Sequence, residues 1–479
     1  MTYLFSGNTV ITNEVEVKND VGNTLPITVI HSGNAVASTN RFPVDSTGNV
    51  TVEGLNPDAF GRLRISEPFT LGDYKHLFAI DPNFIDKKDF GGNITYSVNK
   101  AAATLTTNSS PQSNVIHQTK FYHHYQPGKS QLIYSSFNFG YAQQNVTKRT
   151  GYFDDRDGIY FEQEGNGSSN GTNNGNLYFV VRSFTNGVAN ESEEGAYKRR
   201  VPQNEWNIDK CNGTGVSGLN LDMSKTQLIF IDFQWLGVGR VRTGFVHNGE
   251  LVIAHEFYHS NVLSNVYLSN PNLPVRCEMR NTGTTSGGSM DQICSSVSSE
   301  GGYVESGIDF ANVMSTTRTT ATPGGTELPV IAIRLKNTFG SYPNRISVRL
   351  NNISLYCETN SILYKLVKLP GKAYLGNVSG LGQATWSSVS DSSGVEISTD
   401  ATQYIDGDVF AGGFVPSGAS QNSLSPVASG SLTAAKKNII VQNFDSTDSE
   451  IYAIVVRTLS TSPGTSAVVA AAAQWREIY

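Results

Sequence analysis

Cysteine is scarce in this sequence: four residues in 479, at Cys211, Cys277, Cys294 and Cys357. They lie far apart and form no CxxC pair, which excludes a zinc ribbon and a thioredoxin-type redox motif. So few thiols also argue against a disulfide framework, and they fit single strand residues in a protein folded in a reducing cytoplasm. Charge is scarce as well, at 16% charged residues and a net charge of −6. Basic runs such as Lys198-Arg199-Arg200 are short and read as solvated turns, so no nucleic-acid partner is expected. No apolar run approaches the length of a membrane span, and residues 1–8 lack the basic and apolar regions of a secretory signal. Sequons at Asn93, Asn145 and Asn377 therefore reflect richness in Asn, Ser and Thr rather than glycosylation.

What fills the space is strand and turn. Short runs rich in Val, Ile, Phe, Tyr and Thr are broken by Gly, Asn, Asp and Pro, as in Gln131 to Phe139, Asn176 to Arg182 and Gln227 to Trp235. Between Gly239 and Phe257 the pattern reads as a hairpin. Val241, Thr243 and Phe245 alternate with polar or small neighbours, Asn248-Gly249 supplies two residues suited to positive φ, and Leu251 and Ile253 return. No stretch keeps a helical period over three turns. The nearest, Ser466 to Trp475, also fits a strand in a tight interface.

The chain is therefore expected to be all-β, in three segments. Residues 1–70 have few large apolar side chains and read as an extended arm for assembly, which predicts a homo-oligomer, a trimer if the protein belongs to a fibre or spike. Residues 71–360 carry most aromatics and long strands and read as a β-sandwich. Residues 361–479 read as a smaller β-domain, with a Ser/Gly/Pro-rich loop over 412–430.

Motifs of chemistry are few. His255-Glu-Phe-Tyr-His259 matches HExxH, but zinc needs the pentad on a helix, and here it follows an Asn-Gly turn and a β-favouring run. On a strand the two imidazoles would lie roughly 13 Å apart. The expectation is no metal and an exposed imidazole face, where alanine replacements change stability by only a few tenths of a kcal/mol. His123-His124 would face opposite ways on a strand and cannot chelate on one face. Leu236-Gly-Val-Gly239 lacks a third glycine and reads as a tight bend. There is no Gly-x-Ser-x-Gly elbow or Walker loop, so no catalytic residue and no cofactor are assigned. Asp154-Asp-Arg-Asp-Gly158, followed by Glu162 and Glu164, fails the EF-hand pattern and reads first as a turn, with a structural Ca²⁺ or Na⁺ as the lesser reading. Of the long polar loops it alone sets an aromatic beside acids. Tyr152, Asp154, Asp155 and Asp157 are thus the candidate ligand or ion loop.

Long blocks in the middle of the chain are familiar. Asp58 to Leu71 (DAFGRLRISEPFTL), Tyr125 to Ile133 (YQPGKSQLI), the Gly151 to Asp155 block (GYFDD), Trp206 to Gly215 (WNIDKCNGTG), Phe233 to Arg242 (FQWLGVGRVR) and Pro271 to Arg276 (PNLPVR) resemble a family of virion proteins of tailed bacteriophages, over roughly residues 58–302. The resemblance implies a non-enzymatic structural component of the particle, assembled in the bacterial cytoplasm with other virion proteins. It fits a tail, baseplate or fibre position that contacts the host surface, with capsid decoration or a head fibre as the alternative. Ile231 to Phe257 also looks like the back-to-back strands of concanavalin-like jelly rolls, a likeness of fold that does not imply sugar binding. A carbohydrate-binding or glycan-depolymerising tail protein is the competing class, with host surface glycan as partner.

Overall fold

The computed structural model describes residues 67–479 apart from 194, 321–326, 370–380, 383, 406, 418, 425–438, 445 and 461–464, and gives backbone alone for 30–31, 34–35, 382 and 419–424. Among residues 1–66, β1 (Ile30–His31) pairs antiparallel with β2 (Asn34–Ala35). The remainder of the expected arm lies outside the described residues, save 67–70, of which Phe69 and Thr70 begin the strand Phe69–Lys75.

Residues 68–479 form a unit of their own. Its first part is a sandwich of two antiparallel sheets. One sheet joins β12 (Arg200–Pro202), β11 (Asn176–Arg182), β10 (Gly158–Glu164), β9 (Val146–Phe153), β16 (Val275–Asn281), β7 (Asn114–Thr119) and β4 (Phe84–Asp89), in that order. The other joins β15 (Glu250–Phe257), β14 (Val241–His247), β13 (Gln227–Phe233), β8 (Gln131–Asn138), β17 (Gly288–Ser299), β6 (Ala102–Thr107) and β5 (Asn93–Ser97), with β3 (Phe69–Lys75) also on β17. The chain crosses repeatedly from one sheet to the other, the winding of a jelly roll.

The aromatic residues explain why this pairing closes. Phe137, Phe161, Phe179, Trp206 and Phe245 are all buried between the sheets. Phe161 meets Phe245 edge-on with ring centroids 5.3 Å apart, and Phe179 lies 4.7 Å from Trp206. Such pairs add roughly 0.5–1.5 kcal/mol each beyond the area they bury. The Asn248-Gly249 turn forms as the sequence demands, with φ of 54° and 87°. Leu236-Gly-Val-Gly239 is a tight bend. Its Gly239 N–H donates to the Trp235 carbonyl at 2.8 Å, and a Cβ on Gly239 would lie 2.0 Å from the Gln234 carbonyl oxygen.

A second sandwich follows. One sheet orders Ile308–Val313, Val468–Ile478, Ser347–Cys357 and Ala419–Leu424; the other orders Ser387–Ser388, Val395–Ser398, Leu328–Leu335, Ile451–Thr458, Ile362–Leu369 and Asp408–Val415. Trp475, Leu355, Ile353 and Val330 lie in the core between them. The sheets thus change near residues 300–307 rather than at 360, because Ile308–Val313 and Ser347–Cys357 pair with the last strand of the chain. The loop expected over 412–430 is also corrected. Residues up to 415 and from 419 to 424 are strands, and Gly413 lies where a Cβ would sit 2.9 Å from the Tyr364 ring, so the glycine admits the aromatic. Ser466 to Trp475 is largely strand, as the second of its two readings has it.

Candidate functional site: a cleft between the two sandwiches

Where the sandwiches meet, a cleft of about 590 Å³ opens. Five stretches of chain line it: Tyr122, the turn Asp154 to Asp157, Ser269-Asn270, and, from the second sandwich, Tyr342 to Arg345 and Phe444. Three of the four candidate loop residues therefore reach this cleft, and the turn between β9 and β10 supplies them.

The turn is built by its own carboxylates. Asp154 Oδ1 accepts the backbone N–H groups of Arg156 (2.8 Å) and Asp157 (3.0 Å). Asp157 is buried. Its Oδ1 accepts the backbone N–H groups of Ser269 (2.7 Å) and Phe184 (3.2 Å), and its Oδ2 accepts the Ser269 hydroxyl. Burial raises its pKa above the usual carboxylate value, against the pull of these donors. Asp155 is 71% exposed, and its Oδ1 accepts from the buried Arg276 at 2.6 Å. Although neighbouring chain crowds that carboxyl and would raise it, the guanidinium holds it below its ordinary pKa.

Tyr152 is corrected. It is wholly buried in the first sandwich, donates to the His123 carbonyl at 3.0 Å, and faces away from the cleft. Residues two apart on a strand share a face, which allies Tyr152 with the core residues Ile159 and Phe161 of the neighbouring strand. The aromatic surface comes instead from Tyr342, 62% exposed, with Phe444 and Tyr122. Arg345 lies over the Tyr122 ring at 4.7 Å and donates to the carbonyls of Asn443 (3.1 Å) and Phe444 (2.8 Å). Arg156 stacks over Phe184 at 4.7 Å and Tyr342 at 5.6 Å. No sequence signal joins residue 156 to 342; a hint was the lone aromatic in the turn-rich stretch Gly340-Ser-Tyr-Pro-Asn344.

No family model matches the chain, and no curated protein matches it. Among solved structures, it is similar to the CBM2 module of the evolved Dit of Lactobacillus casei BL23 phage J-1, at 9% identity over 50% of this chain and 100% of that one, TM-score 0.32. A β-1,3-glucanase from Mycobacterium marinum follows, at 12% identity over 48% and 98% of the two chains, TM-score 0.32. Peanut lectin aligns at 11% identity over 49% and 98%, TM-score 0.27.

The histidine pentad sits elsewhere and is also corrected. Both imidazoles are buried, not exposed. The pairing of β14 with β15 slips at Ala254, where Thr243 faces His255 and Gly244 faces Ile253. This bulge turns His255 inward where plain alternation from the turn would have sent it out. His255 Nδ1 accepts the Asn207 N–H at 3.2 Å. His259 lies beyond the strand, stacked on Tyr267 with centroids 3.9 Å apart, its Nδ1 against the Gly239 carbonyl and its Nε2 2.8 Å from the Tyr197 hydroxyl. His259→Ala is therefore expected to cost about 2–4 kcal/mol, as removal of a packed, hydrogen-bonded ring does, rather than a few tenths. Urea unfolding followed by tryptophan fluorescence measures it. His123 and His124 diverge as expected of neighbours. His123 Nε2 meets the Tyr74 hydroxyl at 2.8 Å, while His124 Nε2 reaches Ser347 Oγ of the second sandwich at 2.9 Å. Glu162 and Glu164 pair with arginines on the sheet, not with the turn.

Proposed function

We propose that this protein is a non-enzymatic structural component of a tailed-phage particle, tail-associated and assembled as a homo-oligomer, and that its inter-sandwich cleft takes a glycan of the host surface. The observation that carries the binding role is the cleft itself. Its volume suits a small ligand, and it sets an exposed tyrosine face beside fixed polar groups, the pairing that sugar recognition requires. The particle role rests on the sequence blocks between residues 58 and 302, and oligomerisation on the apolar-poor first 70 residues.

A binding role is favoured over hydrolysis by the carboxylates. Glycoside hydrolysis needs two of them flanking the scissile bond. Those in the cleft all belong to one turn, and each is held by backbone amides, Ser269 or Arg276. Tyr342→Ala is expected to reduce binding on a glycan array about tenfold or more, the order of losing one stacked ring, while leaving the melting temperature within a few degrees. Unchanged binding by a folded Tyr342→Ala variant overturns the cleft assignment. Absence of the protein from purified particles, checked by mass spectrometry, overturns the particle role.

A further inference from the structure

Resting on the cleft reading above, we infer that the ligand is an acidic saccharide whose carboxylate is gripped by Arg156. The charged groups in the cleft differ in how they are used. Asp154 is spent on the turn amides, Asp157 on Ser269 and Phe184, Asp155 on Arg276, and Arg345 on two carbonyls. Arg156 is different. Among the described residues its guanidinium has stacking contacts alone, over Phe184 and Tyr342.

Cation–π contact with two rings restricts the guanidinium without using its N–H donors, which lie at the edge of the group. The flexible side chain has thus already lost much of the freedom that binding would otherwise cost. A planar fork of donors matches a planar carboxylate in a bidentate pair. Tyr342 holds the same guanidinium and is itself 62% exposed, so a sugar ring on the tyrosine would bring an attached carboxylate within the fork's neighbourhood. The nearby acids do not cancel this attraction: Asp155 is neutralised by Arg276, Asp157 is buried, and Asp154 Oδ1 is turned to backbone donors.

The test is isothermal titration of the full chain with a panel of uronic-acid oligosaccharides, their carboxyl-reduced neutral counterparts, and sulfated neutral oligosaccharides, each at low and high salt. At least one uronic-acid member is expected to bind tenfold or more tighter than its reduced counterpart, with the preference shrinking at high salt. Arg156→Gln and Arg156→Lys are each expected to abolish the preference, so that the acidic member binds no tighter than its reduced counterpart, the lysine because it keeps the charge but not the fork. Equal binding of acidic and neutral members, a preference that survives Arg156→Gln, or tighter binding of the sulfated members overturns the inference. If neutral sugars bind and Tyr342→Ala removes that binding, the cleft reading stands without it. If no member of the panel binds, both fall.

Discussion

Arg149→Ala is expected to destabilise the first sandwich by about 3–5 kcal/mol, the cost of stripping one partner from a buried ion pair. Arg149 lies on the outer face of its sheet. Its Nε donates to Glu162 at 2.6 Å and its Nη1 to Glu278 at 3.1 Å, and the three side chains are 11%, 1% and 8% exposed. The chain of charges runs on through Arg200 to Glu164 on one side and through Arg276 to Asp155 on the other. Removing Arg149 leaves two carboxylates in a dry setting, with one cation fewer to hold them. Burial alone would push Glu278 up; Arg149 and Arg276 hold it below its ordinary pKa. Removing the acids together with the arginine, in Arg149→Met with Glu162→Leu and Glu278→Leu, is expected to recover part of the loss, since no carboxylate is then left stranded while Arg200 and Arg276 keep Glu164 and Asp155. Chemical denaturation of the single and combined variants checks both. A cost below about 1 kcal/mol for Arg149→Ala would mean that water reaches the network.

Stability is expected to fall as pH drops from about 6.5 to about 4. Burial lowers His124, His255 and His259 each from an ordinary 6.5 to about 4. Between those values the unfolded chain binds protons that the folded chain refuses, so stability rises with pH across the window and is lost on descent. Each ring contributes on the order of 2–3 kcal/mol to that loss. The carboxylates held low by arginines, Glu278 and Asp155 among them, act in a separate window: their contribution is present above the unfolded carboxylate value and disappears as pH falls through the lower folded one. Melting temperatures recorded from pH 7.5 to 3 should thus decline in two stages. His124→Gln should flatten part of the first stage, because its imidazole bridges to Ser347 of the second sandwich. A melting temperature constant from pH 6.5 to 4.5 would refute the histidine assignment.

How much was legible in the sequence depends on the range of the cause. The Asn248-Gly249 hairpin was legible because two adjacent residues determine it. The inward faces of Val241, Thr243 and Phe245 followed from alternation and are buried. Of the pentad's histidines, His255 was misplaced because a bulge at Ala254 resets the alternation, which no local residue announces, and His259 because the strand ends at Phe257 before reaching it. Tyr152 was misassigned for a related reason. All eight residues of β9 are buried, since a charged network covers one face and the aromatic core the other, so polarity along that strand does not reveal its facing. The cleft was half legible: an Asp-rich turn was visible in the sequence, whereas Tyr342, Arg345 and Phe444 reach it from distant parts of the chain.

The pairing order also sets a timetable for synthesis. Every strand of the first jelly roll is complete by Ser299, so that part can close while the ribosome is still adding the remainder. The second sandwich cannot. Ile308–Val313 is paired with Val468–Ile478, and Ser347–Cys357 takes the other side of that same late strand. At about 5–20 residues added per second the early strands wait roughly 10–30 s for their partner. During that interval Ile308–Val313 presents an unsatisfied edge, and neighbouring nascent chains on one message present the same edge. Slow translation late in the message would lengthen the exposure, and expression yield, more than equilibrium stability, would register it.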